Sequence, residues 1–391
     1  MKTILHCDMN NFYASVELLI NPALRDFPVA VAGNPVKRTG IILAKNYSAK
    51  AYGVKTGEAI WEAKLKCPTL ICVAPHFDEY EKYSRLAREI YNKYTDKVEP
   101  FGMDECWLDV TNSLKYFNAT GIELAKRIQD EIFDTLGLTV SIGVSFSKTL
   151  AKLGSDMQKP KGLVEINKQN HMTIFKKMSI DDMIFIGKKT SKKLKSMNIF
   201  TLYDLANYNP DILEKTFGVN GKKIYDMARG ENDDEVVIFD HNNTKSVGNG
   251  MTSPKDLTNI EDVKHLLSML ADQVSVRMRR HKFRAKTISL DIKFADFTHL
   301  SAQKTYSQSF SSREHLFKYS LNIFHELTED EFAPIRSLRI CCSNIEVCDK
   351  GEQLSLFDDD KKEKLGFALD AIREKFGTDS IKIINEFDDE F

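Results

Sequence analysis

The chain has 391 residues, more than one hydrophobic core normally organises, so roughly two to four domains are expected. Charged residues make up 28% and hydrophobic residues 42%, no apolar run approaches the ~18–20 residues of a membrane span, and the start reaches Asp8 before a secretory core can form. Seven cysteines without a Cys-x-x-Cys pair argue against a disulfide framework or a structural zinc site and for a reduced cytoplasm, and the net charge of −1 excludes neither an acidic nor a basic partner until its distribution is known.

Residues 3–8 read as a strand ending in a carboxylate, and 11–19 as a helix with Phe12, Val16 and Leu19 on one stripe. Short apolar runs at 28–32 and 40–45 read as strands. Residues 77–94 carry helical spacing through Tyr80, Tyr83, Leu86, Ile90 and Tyr94. Residues 97–101 and 105–110 form a hairpin pattern with Gly102-Met103-Asp104 at the turn. An amphipathic helix over 122–136 stops at Gly137; a strand at 138–144 and a helix at 148–157 follow. This order suits a split βαβ sheet with helices on one face, and residues 20–77 read as a subdomain inserted in it.

Residues 166–230 change character. They hold twelve bases against six acids and read as helices broken by Gly187, Gly218 and Gly221. The polar stretch 231–246 reads as a linker. Residues 247–346 mix alternating runs with helices at 260–280 and 313–327, a second α+β domain. Its densest basic run is Arg277, Arg279, Arg280, Lys282, Arg284 and Lys286, with no acid among them. From residue 346 on, fourteen acids face seven bases, so the tail carries −7 and the preceding 345 residues +6. That balance favours a polyanion as partner; a merely solvated face is the other reading. A last amphipathic helix lies near 361–376, with Leu365, Leu369, Ile372 and Phe376 at helical spacing.

In a βαββαβ sheet the first strand and the hairpin strands can be neighbours, so Asp8, Asp104 and Glu105 can meet at one edge. Such carboxylates suit hard divalent cations, and two ions shared with substrate phosphates suit phosphoryl transfer. Ordinary surface acids at strand ends would look the same from spacing alone.

The residues themselves carry a resemblance. Ile4-Leu5-His6-Cys7-Asp8-Met9-Asn10-Asn11-Phe12-Tyr13-Ala14-Ser15-Val16-Glu17 resembles the opening motif of the Y-family translesion DNA polymerases. Val98-Glu99-Pro100-Phe101-Gly102-Met103-Asp104-Glu105, and the blocks Ser141 to Ser145, Leu150-Ala151-Lys152 and Lys159-Pro160-Lys161-Gly162, resemble its later motifs in the same order. The likeness runs over almost the whole chain and is strongest to the bacterial polymerase IV-like branch.

The resemblance implies an α+β multidomain fold, a right-hand polymerase. The palm, a split βαβ sheet, would take residues 1–19 and 78–165, and small fingers 20–77. A helical thumb would take 166–230, a linker 231–246, an α+β little finger 247–346, and a clamp-binding tail with its helix 347–391. It implies a low-fidelity, template-directed DNA polymerase that extends a primer past damaged bases. The expected cofactor is two Mg²⁺, replaceable by Mn²⁺, on Asp8, Asp104, Glu105 and the Met9 carbonyl. Tyr13 falls on the steric gate that excludes a 2′-hydroxyl; Tyr47, Lys50 and Lys159 match residues that hold the incoming triphosphate. Ile41 and Leu43 would roof the template base. DNA contacts are expected at helix-hairpin-helix-like turns (Gly187, Lys188, Lys189; Gly218) and along Arg277, Arg279, Arg280, Lys282 and Arg284. Gln353, Leu354, Leu356 and Phe357 resemble the peptide that binds a bacterial sliding clamp. A monomer is expected, in the bacterial cytoplasm and on the nucleoid during repair, with no membrane partner.

Four positions depart from the family pattern. Gly102 stands where a serine is usual, implying a looser turn. Asn10 replaces a frequent acid, Lys50 a frequent arginine, and Ser147 a frequent asparagine. None removes a needed group. Two rivals stay open: an enzyme that is a polymerase of another class or a ribonucleotide-using cyclase with a similar palm, Tyr13 and the basic thumb arguing against the cyclase, and a non-catalytic DNA-binding or clamp-recruited scaffold, against which the carboxylate set argues.

Overall fold

The computed structural model describes residues 2–34, 40–232, 235–238, 243–328, 331–347, 360–377 and 380–381, without the side chains of 360–365, 367 and 374. The chain divides into two compact units, residues 1–33 with 41–239, and residues 34–40 with 240–391.

In the first unit, β1 (Ile4–Met9) leads into α1 (Phe12–Ile20) through Asn10 and Asn11. An excursion follows: β2 (Val29–Ala32), β3 (Ile42–Lys45), α2 (Tyr47–Ala51), α3 (Ile60–Lys66) and β4 (Ile71–Val73). Its three strands pair in the order β3-β2-β4 over a small core that includes Ala30, Ile42, Ile60 and Leu70. The chain returns through α4 (Phe77–Tyr91), β5 (Val98–Phe101), β6 (Glu105–Asp109), α5 (Ser113–Phe117), α6 (Gly121–Leu136), β7 (Val140–Ser145), α7 (Lys148–Met157) and β8 (Leu163–Ile166). The main sheet runs β5-β6-β1-β7-β8, with β1 antiparallel to both neighbours.

The expectation of helices on one face is wrong. Leu5, Cys7 and Met9 pack with α1, α4 and α6 through Phe12, Val16, Ile90, Leu124 and Ile128. The alternate residue Ile4 joins Trp107 and Ala151 of α7, and His6 Nδ1 lies 2.8 Å from Ser155 Oγ of the same helix. Every residue of β1 and β7 is therefore buried, as in a sheet covered on both sides. Gly143 makes the second layer possible: a methyl group there would lie 1.9 Å from the Ala151 carbonyl. The strands β4 and β8, of three and four residues, are not among those expected from the sequence.

The helical stretch contains α8 (His171–Phe175), α9 (Lys188–Ser196), α10 (Leu202–Ala206), α11 (Pro210–Phe217) and α12 (Val219–Arg229) around Phe175, Leu194, Leu202, Leu213 and Ile224. Gly187 and Gly218 precede α9 and α12, but Gly221 lies inside α12. It lets α11 and α12 cross closely and breaks neither. The linker expectation also needs correction at its start. Val236 is buried with Ile4, Trp107 and Ala151; Val237 N donates to Glu99 Oε2 at 2.7 Å, and Lys148 Nζ donates to the Glu235 carbonyl at 3.3 Å. Val236-Val237-Ile238 is an apolar run hidden in a polar stretch.

The second unit has β9 (Ser246–Leu257), α13 (Ile260–Arg280), β10 (Phe283–Phe294), β11 (His299–Phe310), α14 (Arg313–Thr328), β12 (Ile335–Val347) and α15 (Asp360–Phe376). Its antiparallel sheet, β11-β10-β12-β9, packs Ile288, Leu290 and Ile340 against Leu270, Val274 and Phe324 of α13 and α14. Small and polar residues alternate with these, in register across the strands: Gln303, Ser289, Cys341 and Gly248. The helix α15 is fastened to α13 by two ion pairs. Arg279 grips Asp370 with two hydrogen bonds of 2.6 and 2.9 Å, and Arg373 Nη1 donates to Asp272 Oδ2 at 2.7 Å.

Candidate active site

Asp8 and Glu105 occupy facing positions on β1 and β6, so both carboxylates leave the same face of adjacent strands. The turn before Glu105 then sets Asp104 beside them. Gly102 takes φ 85°, yet the turn is not loose, contrary to expectation. Met9 N donates to the Asp104 carbonyl at 3.0 Å, Ser84 Oγ donates to the Met103 carbonyl, and Tyr13 OH lies 3.2 Å from Met103 Sδ.

The carboxylates act on one another. Burial, then the charges of Asp8 and Glu105, push Asp104 up to about 6. Burial works the same way on Glu105, but His6 and Lys152 outweigh it and hold that carboxyl below its usual range. Lys152, from α7, places Nζ 3.0 Å from Asp8 Oδ2 and 2.9 Å from Glu105 Oε1. Burial opposes its charge; Asp8 and Glu105 more than compensate and raise its pKa. Lys159 Nζ lies 2.7 Å from Asp8 Oδ2 and 2.9 Å from Asp156 Oδ1. Behind Glu105, fully buried His6 sets Nε2 3.2 Å from Oε2, and burial pushes its pKa down.

This donor set fits a hard divalent cation. It is made of oxygen ligands, it carries excess negative charge, and two of its members already converge on a cation, the Lys152 ammonium. Among the described residues no three carboxylate, imidazole or thiol groups converge unaided.

A model of the impB/mucB/samB family matches residues 7–156, and one of that family's C-terminal domain matches 244–356. Residues 185–232 match a model described as the DNA polymerase-iota thumb domain. A DNA polymerase IV of Acetivibrio thermocellus is 41% identical, over 97% of this chain and 96% of its own length. The chain belongs to the DNA polymerase IV branch of the Y-family DNA polymerases.

DNA polymerase IV 1 of Bacillus subtilis is 34% identical over 97% of this chain and 92% of its own. Among solved structures, a Y-family polymerase chimera of Dbh and Dpo4 superposes with a TM-score of 0.78 at 27% identity, covering 88% of this chain and all of its own. An insertion ternary complex of Dbh DNA polymerase gives 0.63, also at 27% identity and the same coverage. This Y-family chain is thus a DNA-directed DNA polymerase of the translesion class, an activity that requires a divalent metal.

Tyr13, Tyr47, Lys50 and Lys159 are the other residues expected to bind nucleotide. The Tyr13 ring stacks on Tyr80, centroids 4.2 Å apart and nearly parallel, and Tyr80 OH donates to buried Glu17. Burial, then Asp104, raises the Tyr13 hydroxyl. Tyr47 opens α2, capped by Asn46, whose Oδ1 accepts from Ala49 N at 2.9 Å. Burial raises the Tyr47 phenol while Lys159 works against it, so the two side chains lie within electrostatic reach. Lys50 stays with Tyr47, its Nζ 5.5 Å from the ring centroid. A bulge in the pairing of β2 with β3 interrupts the alternation assumed for Ile41 and Leu43. Ile41 precedes the strand and is 42% exposed; Leu43 packs on the main core.

Sequence reasoning misses three contributors. Lys152 stands out in the sequence only as part of a motif. His6 gives no signal beyond an unpaired polar residue in an apolar strand. Asn10 reads as a missing charge. In fact Asn10 Nδ2 donates to Ser141 Oγ at 2.9 Å and its Oδ1 accepts from Lys161 N at 2.9 Å, which pins the loop carrying Lys159. Ser147, the other departure, caps α7.

The expected DNA contacts divide. Lys188, Lys189, Arg280 and Lys282 are exposed. Arg279 is a correction: it is buried and held by Asp370, so its charge is already matched. Arg284 bonds Ser309 through Nε (3.1 Å) and Nη2 (2.9 Å), and Arg277 Nη1 donates to the Gly248 carbonyl at 3.1 Å. Gln353, Leu354, Leu356 and Phe357 lie outside the described residues. Among the described residues no helix is long and apolar enough to cross a membrane.

Proposed function

We propose that Asp8, Asp104 and Glu105, with the Met9 carbonyl, hold two Mg²⁺ and that this site joins a primer 3′-oxygen to the α-phosphorus of a deoxynucleoside triphosphate. The new P–O bond replaces the bond to pyrophosphate, which leaves. The observation that carries the reading is the convergence of Asp8 and Glu105 on one cation beside Asp104. Bound Mg²⁺, or Mn²⁺ in its place, supplies charge neutralisation for the attacking and leaving oxygens.

The chain's own residues bind and orient. Lys159, Tyr47 and Lys50 hold the triphosphate, and Asn10 keeps the Lys159 loop in position. Tyr13, braced on Tyr80, blocks a 2′-hydroxyl. Ile41 faces the template base; Leu43 supports it from the core. The thumb (166–230), with Gly187, Lys188, Lys189 and Gly218, and the little finger (247–346), with Arg280 and Lys282, grip duplex phosphates whatever the sequence. The palm takes 1–19 and 78–165, and the fingers 20–77. The ternary complexes of Dbh support DNA and nucleotide as ligands.

Gln353, Leu354, Leu356 and Phe357 engage a sliding clamp; loss of clamp binding by a Leu356→Ala, Phe357→Ala chain tests this. The enzyme works as a monomer in the bacterial cytoplasm, on the nucleoid. Primer extension on intact and damaged templates, with deoxynucleotides and Mg²⁺, tests the whole reading. A chain that binds primer-template yet adds no nucleotide would return the scaffold reading.

A further inference from the structure

Phe185 sits in the turn before Gly187 and is turned out of the thumb core. Both neighbours point inward: Ile184 packs beside Ile4, Trp107 and Val236, and Ile186 is buried with Leu194 and Ile224. Phe185 itself is 60% exposed and takes φ 70°, a region that a bulky side chain enters only at a cost. Lys223 of α12 stands over its ring, 5.4 Å from the centroid. That contact brings together the two glycine turns, since Gly187 lies two residues beyond Phe185 and Lys223 lies five beyond Gly218.

Along the chain, the two stretches that carry these turns have one sign of charge. No acidic residue occurs from Met183 to Lys195 or from Gly218 to Tyr225, while those stretches contribute Lys188, Lys189, Lys192, Lys193, Lys195, Lys222 and Lys223; of these, Lys195 is paired with Asp181, which precedes the first stretch. Val219, beside Gly218, is 84% exposed. A large ring held in water under the Lys223 ammonium, between two lysine-bearing turns, matches a polyanion that also offers apolar faces. Duplex DNA does so, because its sugars lie between its phosphates.

We propose that Phe185 contacts DNA directly, its ring packed on the deoxyribose of the duplex backbone between phosphates engaged by the two turns. This rests on the reading of the thumb as a DNA grip.

The test uses the full chain and compares Phe185→Gly, Phe185→Tyr and the pair Lys188→Ala, Lys189→Ala. Duplex primer-template affinity is measured across a salt series, together with melting temperature. Glycine removes the ring and accepts the positive φ, so Phe185→Gly is expected to melt no lower than the parent. It is expected to bind about tenfold more weakly, or ~1.4 kcal/mol. Its slope of log K against log salt should equal the parent's, because an apolar ring releases no counterion. Phe185→Tyr should bind like the parent. The lysine pair should lower the slope by up to ~0.9 for each phosphate left without its ammonium. If Phe185→Gly binds like the parent while the lysine pair weakens binding, the assignment of Phe185 is overturned and the thumb reading stands. If neither changes binding, the thumb reading falls and takes this one with it. A lower melting temperature for Phe185→Gly would make the ring a packing residue and would also overturn the proposal.

Discussion

Asp8 and Glu105 face each other across neighbouring strands and share one ammonium, that of Lys152. Two carboxylates side by side repel unless a positive charge stands between them. In the protein alone Lys152 provides it, while burial and then the charges of Asp8 and Glu105 push Asp104 toward its neutral form. Lys152 reaches the pair because α7 lies directly on β7 at Gly143.

Lys152 and a divalent cation therefore compete for the same oxygens. Lys152→Met should destabilise the metal-free chain, by roughly 3 kcal/mol for a partly buried pair left unmatched. It should also tighten cation binding, read as a lower Mn²⁺ concentration at half-saturation by paramagnetic resonance. Weaker Mn²⁺ binding in the variant would show that Lys152 supports the metal site.

The raised Asp104 carboxyl gives a pH signature. Folded, it titrates at about 6; unfolded, near 3.9. The folded chain holds that proton more tightly, so stability falls as pH rises from about 4 to about 6 and stays lower above. Asp104→Asn should therefore exceed the parent by roughly 3 kcal/mol at pH 7.5 without divalent cation, and the two should converge below pH 4. Added Mg²⁺ should raise the parent's melting temperature more than the variant's. Equal melting curves at pH 7.5 would remove Asp104 from the charged cluster.

The basic run at 277–286 should act unevenly. Arg280→Ala with Lys282→Ala should lower the salt slope of DNA binding by up to ~0.9 for each phosphate no longer neutralised. Arg279→Ala should leave that slope unchanged, because its guanidinium already serves Asp370. Instead it should speed amide exchange in α15. Fluorescence anisotropy across salt and exchange by mass spectrometry read the two effects; a flatter slope for Arg279→Ala would mean that the pair opens on DNA.

Much of this site is legible in the sequence, and the reasons are specific. Asp8, Asp104 and Glu105 can be joined because a strand end and a hairpin turn leave few ways to pair. Arg279 cannot be placed, because its partner Asp370 is 91 residues away and charge runs along the chain do not reveal it. The two-sided burial of β1 is written in Ile4-Leu5-His6-Cys7, which does not alternate, but a short apolar run alone does not say what covers it. Val236 is hidden in a polar stretch, and Asn10 looks like a missing charge when its role is to hold Lys161 and Ser141.

Tyr13 rests flat on Tyr80, so its ring has little room to retreat from a nucleotide sugar. Tyr13→Ala should admit ribonucleotides, with the ratio of deoxy- to ribonucleotide kcat/KM falling at least a hundredfold, or about 2.7 kcal/mol. Single-nucleotide insertion opposite one template base measures it. Discrimination equal to the parent's would place the gate elsewhere.

Asp8 and Glu105 are proposed to serve the chemistry while other elements hold the duplex. Primer extension by Asp8→Ala and Glu105→Ala chains, measured beside their affinity for the same primer-template, tests it most directly. Extension is expected to fall at least a thousandfold, about 4 kcal/mol of barrier, with affinity within a few-fold of the parent. Extension within tenfold of the parent in either variant would contradict it.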